Sequence, residues 1–262
     1  MFADGTIATI RLNRPERMNA VIEEMYDEIH DALERASADP GIRCLILTGT
    51  VNRRGGVEKQ AFCAGADLKE HSAGKRSVNA RRRYIRLAHK TGRAIHDLPK
   101  PVIAAVNGPA RGAGTEMALC CDLLLMAEEA TLALPEVGLG TFVGGGATHL
   151  LPRLIGLSKA KELIYTGRVV DGKEAVELGM ALACYPVARL MDEARTLARE
   201  IAGKAPISIA FAKRLLQRSP GLDYATAVDQ ETEAILTCME SEDWKEGIRA
   251  YVEKRKPRFL GR

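Results

Sequence analysis

Two glutamates about 20 positions apart are the residues of this sequence best suited to acid–base chemistry. Glu116 precedes the apolar run MALCC, and Glu136 follows the strand-like run TLAL. Charged carboxylates normally stay in water, so apolar residues on one side of each glutamate indicate a pocket more than a surface. Two carboxylates facing one cavity could act as a general base and a general acid. They cannot both ionise cheaply there, so at least one is expected to have a raised pKa.

Glycine is concentrated around these glutamates. The 24 glycines exceed the usual share of roughly 7%, and many fall in segments 61–67, 107–116 and 138–146. Glycine permits backbone conformations and close approaches that a side chain would block. The middle segment leads from a predicted strand into the helix that carries Glu116. Its backbone N–H groups therefore lie at a positive helix end, which stabilises an anion or a polarised carbonyl.

Several other chemistries lack their motifs. No G-x-x-x-x-G-K-[ST] sequence is present, and the glycine pairs at 112/114 and 138/140 are not completed to G-x-G-x-x-G. No G-x-S-x-G sequence occurs, so a serine hydrolase has no evident nucleophile. The six cysteines show no C-x-x-C spacing, which indicates buried thiols and predicts neither a metal site nor a disulfide framework. Cys63, in the first glycine segment, is the one thiol for which a functional role is still considered.

Length and composition indicate an ordinary globular protein that is large enough to be an enzyme. Its 262 residues are 46% hydrophobic and 27% charged, enough for one large domain or one domain with an appendage. A net charge of +4 is too small for a general nucleic-acid-binding protein unless the basic residues cluster. The N-terminus shows no secretory signal, and no apolar run approaches the roughly 18 residues of a membrane span. A cytoplasmic location without membrane contact is expected.

Short apolar runs alternate with helical patterns through the first two thirds of the chain. Strands are predicted at 6–11, 44–49, 102–107, 123–127 and 131–135. Helices are predicted at about 21–37, with Asn19 as the N-cap, and at 80–97, and the polar segment 70–79 is predicted to be a mobile loop. From about 186 the pattern is helical, with helices at 188–202, at 207–218 and two more reaching about 254. We therefore expect an α/β core over residues 1–186 and a helical region over 187–262.

Together these residues resemble the crotonase (enoyl-CoA hydratase/isomerase) superfamily. The resemblance is carried by AFCAGADLKE, by KPVIAAVNGPARGAGTEMALCCDLLLMAEEATLALPEVGLG, by LIGLSKAKELIYTGRVVDGKEAVELGM and by EGIRAYVEKRKPRF, so it covers essentially the whole chain. It implies a spiral core of repeated β-β-α turns, with C-terminal helices that form trimers pairing into hexamers. It also implies an acyl-CoA thioester substrate and no separate cofactor, since coenzyme A is part of that substrate.

The resemblance implies roles for two backbone groups and for both glutamates. The N–H groups of Ala66 and Ala113 would form an oxyanion hole for the thioester oxygen. Ala113 stands where the family more usually has the middle glycine of three. An alanine there still donates its backbone N–H, provided that its backbone angles are ordinary. Glu116 would activate the water that attacks the β-carbon, and Glu136 would protonate the α-carbon on the same face. Because isomerases of the family commonly keep one carboxylate, the pair favours an enoyl-CoA hydratase with syn addition.

Further positions match places where family members approach the CoA moiety. They are Arg17, Ala64, Asp67, Leu68 and Lys69, together with Tyr251 and Lys254 in a C-terminal patch that often serves a neighbouring subunit. Cys63, Arg111, Val143 and His149 differ from the usual pattern or vary within it. Arg111 is charged near a site where small or apolar residues are common, and Val143 stands where many hydratases have proline. The resemblance therefore leaves the acyl specificity undefined.

Two alternatives stay open beside the hydratase. One is a double-bond isomerase or another acyl-CoA reaction of the family. The other is RNA binding, because several segments look closest to the methylglutaconyl-CoA hydratase branch, one member of which binds RNA. That binding is attributed to lysines on an early helix, whereas the corresponding stretch here, 31–43, contains no lysine. The cluster of basic residues that RNA binding requires is missing from this stretch, so no nucleic-acid partner is expected.

Overall fold

The structure is a computed structural model that describes residues 1–54, 57–69 and 77–262. Most of segment 70–79, predicted above as a mobile loop, lies outside these residues. The strands are β1 (Phe2–Asp4), β2 (Ile7–Leu12), β3 (Cys44–Gly49), β4 (Asn52–Arg54), β5 (Val57–Lys59), β6 (Val102–Val106), β7 (Ala110–Arg111), β8 (Leu123–Ala127), β9 (Thr131–Ala133), β10 (Val170–Asp171) and β11 (Ala183–Tyr185).

Helices pack against these strands and make up most of the C-terminal third. The α-helices are α1 (Glu23–Ala38), α2 (Val78–Asp97), α3 (Ala113–Leu119), α4 (Ala147–Ile155), α5 (Leu157–Thr166), α6 (Gly172–Glu177), α7 (Val187–Ala202), α8 (Pro206–Arg218), α9 (Tyr224–Glu240) and α10 (Glu242–Val252). Short 3₁₀ helices span Pro15–Arg17, Glu136–Leu139 and Ser219–Gly221.

The central sheet has its described strands in the order β1-β2-β3-β6-β8-β11. Neighbours from β2 to β11 pair in parallel, and β1 joins the edge antiparallel to β2. Strands β3 and β6 are buried at every residue, as expected for parallel strands covered by helices on both faces. Their near-continuous apolar sequences are therefore explained by two-sided burial.

A smaller sheet has the order β10-β9-β7. The chain runs from β6 of the large sheet to β7 of the small sheet and into α3, and then repeats the passage through β8 and β9. Because β6 pairs with β8 and β7 with β9, successive turns stack on one another. The α/β spiral of repeated β-β-α turns is thereby confirmed. The stacking places the start of α3 beside the end of β9, where the hydrogen bond from Gly112 N to Ala133 O measures 3.0 Å.

The region after α7 is helical, as predicted, and buries little of itself. Within α8 the buried residue is Lys213, and within α9 it is Ala234. Large apolar side chains on these helices and on α10 are exposed, among them Leu216, Ile235, Leu236, Met239 and Ile248. Among the described residues no helix has the length and apolar character needed to cross a membrane. The domain division at 186/187 stays a prediction.

Asn19 does not cap α1, contrary to the prediction. The helix begins at Glu23 after Ile22, whose side chain makes no capping hydrogen bond. Asn19 instead has a left-handed φ of 56° and is fully buried. Its amide donates to Thr50 O at 3.0 Å and to Ala61 O at 2.9 Å. Asparagine is favoured both at helix caps and in left-handed turns, so the sequence signal was ambiguous.

Candidate active site

Two segments, 63–66 and 110–113, run side by side at the edge of the small sheet. Cys63 forms a parallel bridge with Ala110, and Arg111 N donates to Cys63 O at 2.9 Å. Ala66 and Ala113 follow three positions after the bridged pair on their respective segments. A Cβ atom built on Gly65 would lie 3.8 Å from Ala113 N. The two predicted N–H donors therefore lie close together where both segments leave the bridge.

Each of these alanines follows a glycine with positive φ, 90° at Gly65 and 48° at Gly112. Side chains are strained at such angles. They would also collide, because a Cβ atom on Gly112 would lie 2.5 Å from Glu136 Oε1. Ala113 has no positive φ and is the first residue of α3. Its backbone is therefore ordinary, as the replacement of the family's usual glycine requires.

The N–H groups of Ala66 and Ala113 are unpaired. Neither donates to an acceptor within residues 1–54, 57–69 and 77–262. The next N–H along the chain, that of Asp67, donates to Val21 O at 3.1 Å. Both alanines are half-buried. Since backbone N–H groups away from bulk water need acceptors, this pair is available to one ligand oxygen.

Glu116 lies on α3 and is only 9% exposed. Its Oε1 accepts a hydrogen bond from Gly144 N at 2.5 Å. The glycine loop packs directly on it, since a Cβ atom on Gly145 would lie 2.6 Å from Glu116 Cβ. Burial raises the pKa of Glu116, and the Gly144 N–H partly offsets this effect by stabilising the carboxylate. Glu116 is thus a fixed carboxylate with one oxygen held by the backbone.

Glu136 begins the 3₁₀ helix after β9 and is also 9% exposed. Its Oε2 has no hydrogen-bond partner in the described parts of the chain. Burial raises the pKa of Glu136, its own backbone N–H lowers it, and the negative charge of Glu116 raises it again. The charge of Glu116 therefore affects the pKa of Glu136. An unpartnered oxygen in such a pair is suited to hold a proton or a water molecule.

The predicted CoA-binding residues fall in two parts of the molecule. Ala64, Asp67, Leu68 and Lys69 flank Ala66 on one segment. Arg17 is exposed on the first 3₁₀ helix, and the residue after it, Met18, accepts a hydrogen bond from Ala64 N at 3.0 Å. Tyr251 and Lys254 lie at the exposed end of α10. Their contacts with CoA stay predictions.

Asp67 has a structural contact of its own in this segment. Its Oδ2 lies 2.9 Å from Arg14 Nη1, and its Oδ1 accepts from Lys69 N at 3.1 Å. The side chain of Asp67 is buried, whereas Leu68 and Lys69 are exposed. The carboxylate therefore orders the turn that leads from Ala66 to Lys69.

Two residues singled out in the sequence have structural contacts. The Arg111 guanidinium donates to Thr131 O at 3.0 Å and to Thr131 Oγ1 at 2.9 Å, so it ties β7 to β9. The Cys63 thiol is fully buried, and burial raises its pKa to about 12. A thiol this hard to ionise is a poor nucleophile. No group of three or more metal-ligating side chains occurs among the described residues.

Sequence reasoning missed two participants in the site. Gly144 N–H donates to Glu116 Oε1, a contact that the glycine-rich sequence of 138–146 did not indicate. His89 on α2 approaches the same glycine as Glu116, since a Cβ atom on Gly144 would lie 2.9 Å from His89 Nε2 and 3.2 Å from Glu116 Oε2. A histidine in a basic helix carries no local signal for this position. Only the packing of α2 against the glycine loop reveals it.

Comparison with known proteins agrees with this arrangement. The family model described as enoyl-CoA hydratase/isomerase matches residues 3–262. A putative enoyl-CoA hydratase/isomerase of Bacillus subtilis is 40% identical over 97% of this chain and 95% of its own length. A crotonyl-CoA hydratase of Syntrophomonas wolfei is 36% identical over 98% and 95%. The crystal structure of an enoyl-CoA hydratase from Bacillus anthracis superposes with a TM-score of 0.93 at 36% identity, covering 100% of this chain and 98% of that one. The chain is therefore an enzyme of the enoyl-CoA hydratase/isomerase family, within the crotonase superfamily.

Proposed function

We propose that the protein is an enoyl-CoA hydratase, which adds water across the α,β double bond of a 2-enoyl-CoA thioester. The observation that carries the proposal is the pair of buried glutamates beside two unpaired backbone N–H groups. The names of similar proteins, a crotonyl-CoA hydratase and a short-chain-enoyl-CoA hydratase, support the same reaction. The substrate brings its own CoA, so the reaction requires no further organic cofactor.

The N–H groups of Ala66 and Ala113 bind the thioester oxygen in this proposal. When water adds to the β-carbon, the double-bond electrons move toward the α-carbon and the oxygen gains enolate character. Donors that are already in place stabilise that charge without reorganisation, and one such donor is typically worth about 3–4 kcal/mol of barrier. The start of α3 adds the positive end of its dipole.

Glu116 is the general base and Glu136 the general acid. The Gly144 N–H favours the ionised form of Glu116, which takes a proton from water as its oxygen bonds to the β-carbon. Burial and the charge of Glu116 favour the protonated form of Glu136, which gives its proton to the α-carbon. Since both carboxylates share one pocket, the hydroxyl group and the proton arrive on the same face of the double bond. The result is syn addition.

We further propose that the chain self-associates as a trimer or a dimer of trimers. Exposed apolar side chains on α8, α9 and α10 support this, because a monomer leaves that area in water. In such an assembly Tyr251 and Lys254 would contact the CoA moiety of a neighbouring subunit, while Arg17, Lys69 and the backbone of 64–68 would contact it within the chain.

Hydration of crotonyl-CoA by the purified protein, followed by loss of the enoyl absorbance, tests the proposal. Replacing either Glu116 or Glu136 by Gln should lower kcat by about 10²–10⁴-fold, because each removes one proton-transfer group. The exposed Glu129→Gln is the matched control and should keep wild-type activity. A wild-type protein that shifts a double bond but does not hydrate, with this activity kept in Glu116→Gln and lost in Glu136→Gln, would favour the isomerase and overturn the assignment.

A further inference from the structure

Thr115, the residue before Glu116, places its hydroxyl group beneath the start of α3. The residue is only 3% exposed, and its Oγ1 lies 2.9 Å from Ala133 O and 3.1 Å from Ala110 O. Ala110 belongs to β7 and Ala133 to β9, and the hydroxyl group donates its one hydrogen to these two carbonyls. One side chain of α3 therefore joins the helix to both strands.

Five other threonines in helices use their hydroxyl groups differently. Each donates to the carbonyl four positions earlier in its own helix, a common pattern for threonine. They are Thr91, Thr166, Thr196, Thr232 and Thr237. Thr115 lies in the first turn of α3, and the residue four positions earlier is outside the helix. Its hydroxyl group thus fastens the helix to the sheet, whereas the others connect successive turns of one helix.

Ala133 O connects this hydroxyl group to the turn that carries Glu136. The same oxygen accepts from Gly112 N at 3.0 Å. Gly112 packs on Glu136, since an added Cβ atom would lie 2.5 Å from Glu136 Oε1. Glu136 itself follows Ala133 by three positions. The two hydrogen bonds at Ala133 O therefore set the separation between the helix that carries Glu116 and the turn that carries Glu136.

We propose that Thr115 is a positioning residue whose hydroxyl group holds α3 on β9 at the separation that lets Glu116 and Glu136 act on one double bond. The inference rests on the proposed hydratase reaction, in which the two glutamates transfer protons at adjacent carbons. Proton transfer requires hydrogen-bonding distance, so a small displacement of α3 lowers the rate. The contact of Gly112 with Glu136 blocks movement toward β9, so loss of the hydroxyl group lets α3 move away.

Thr115→Val tests the hydroxyl group, because valine keeps the shape of threonine and removes the donor. It should lower kcat for hydration of crotonyl-CoA about tenfold, the effect of one hydrogen bond, with little change in KM. Thr115→Ser keeps the donor and should retain most of the wild-type kcat. Thr48→Val is the matched control, because Thr48 is also 3% exposed and donates to Ala105 O at 2.8 Å within the central sheet. This control should lose stability and keep kcat.

A titration that needs no turnover separates this inference from the hydratase assignment. Burial raises the pKa of Glu136, and the charge of Glu116 raises it further. When α3 moves away in Thr115→Val, that charge acts over a longer distance, so the pKa of Glu136 should fall. Carbon NMR of isotope-labelled glutamate carboxyl groups measures this pKa, with the signal assigned by Glu136→Gln. Thr48→Val should titrate like the wild-type protein.

The kinetic and titration results together decide both assignments. In a protein that hydrates, the role of Thr115 requires both the loss of kcat in Thr115→Val and the fall in the pKa of Glu136. Either result alone, neither of them, or an equal loss of kcat in Thr115→Ser or Thr48→Val would overturn that role and leave the hydratase intact. A fall in the pKa of Glu136 in a protein that does not hydrate would support the role of Thr115 and overturn the hydratase. Absence of both hydration and a pKa change would overturn both.

Discussion

The catalytic pocket and the C-terminal helices use their residues in opposite ways. The pocket is built from small residues whose backbones touch, and Gly112, Gly144 and Gly145 pack directly on Glu136 and Glu116. Helices α8 to α10 carry large apolar residues that face solvent, and they bury few side chains. The comparison teaches that the two glutamates are positioned by contacts within one chain, whereas the helical region lacks the burial that would make its apolar residues stabilising.

Lys213 is the strongest link between the two regions, so its replacement should have the largest effect. Its Nζ lies 2.7 Å from Asp122 Oδ2 and donates to Lys100 O at 3.2 Å, and both members of the ion pair are mostly buried. Lys213→Met should lower the free energy of unfolding by about 3 kcal/mol, because Asp122 is left buried without a counter-charge. Urea unfolding measures the change, with the exposed Lys204→Met as control. Equal stability of the two variants would show that the link contributes nothing.

A pair of glycine substitutions contrasts the regions directly. Gly112→Ala should lower kcat about 100-fold, since its φ is 48° and the new Cβ would lie 2.5 Å from Glu136 Oε1. Gly221→Ala, in the helical region, meets no atom within 4 Å and has no positive φ, so kcat should stay unchanged. Steady-state kinetics on one enoyl-CoA substrate measures both. Similar losses in the two variants would contradict the contrast.

The buried carboxylate of Glu116 should also lower the stability of the folded protein at high pH. Burial raises the pKa of Glu116 in the folded protein, so its contribution to stability is present at low pH and lost as the pH rises through the raised pKa. Glu116→Gln, although expected to lose activity, should therefore have a higher melting temperature than wild type at about pH 8. The difference should vanish near the ordinary glutamate pKa of 4.5. Scanning calorimetry at several pH values measures it, and the exposed Glu200→Gln should show no such trend.

The smallest effect is expected at the end of the helical region. Tyr251→Phe should raise KM for the CoA substrate severalfold without changing kcat, because it removes one hydroxyl far from the glutamates. Tyr224 is equally exposed, at 86% against 84% for Tyr251, so Tyr224→Phe is the matched control. If a neighbouring subunit contributes Tyr251, the KM effect should disappear at protein concentrations where the assembly dissociates. An effect on kcat instead would place Tyr251 in another role.

Periodicity predicted the core well because burial acts on whole strands and helices. The strand expected at 44–49 is Cys44–Gly49, and the helix expected at 80–97 is Val78–Asp97, with Ser77 as its cap. The helix that carries Glu116 begins at Ala113, after a turn at Gly112 whose N–H donates to Ala133 O in β9, a contact that no local pattern encodes.

The site was predictable where the chemistry lies in one side chain and its neighbours. Glu116 and Glu136 were found from their apolar surroundings, and both are buried. The contacts from Gly144 and His89 come from segments far away in the sequence, so only the packed structure shows them. The closer resemblance to the methylglutaconyl-CoA hydratase branch stays a prediction.

The two left-handed glycines before the N–H donors have a consequence for laboratory evolution. In the proposed mechanism the thioester oxygen is bound by the backbone N–H groups of Ala66 and Ala113, whereas the angles that orient this backbone depend on Gly65 and Gly112. A library that varies positions 66 and 113 among small residues would reshape the pocket while keeping both donors. The same diversity at 65 and 112 would yield mostly inactive clones. The mutable and the immutable positions of this enzyme thus lie next to each other along the chain.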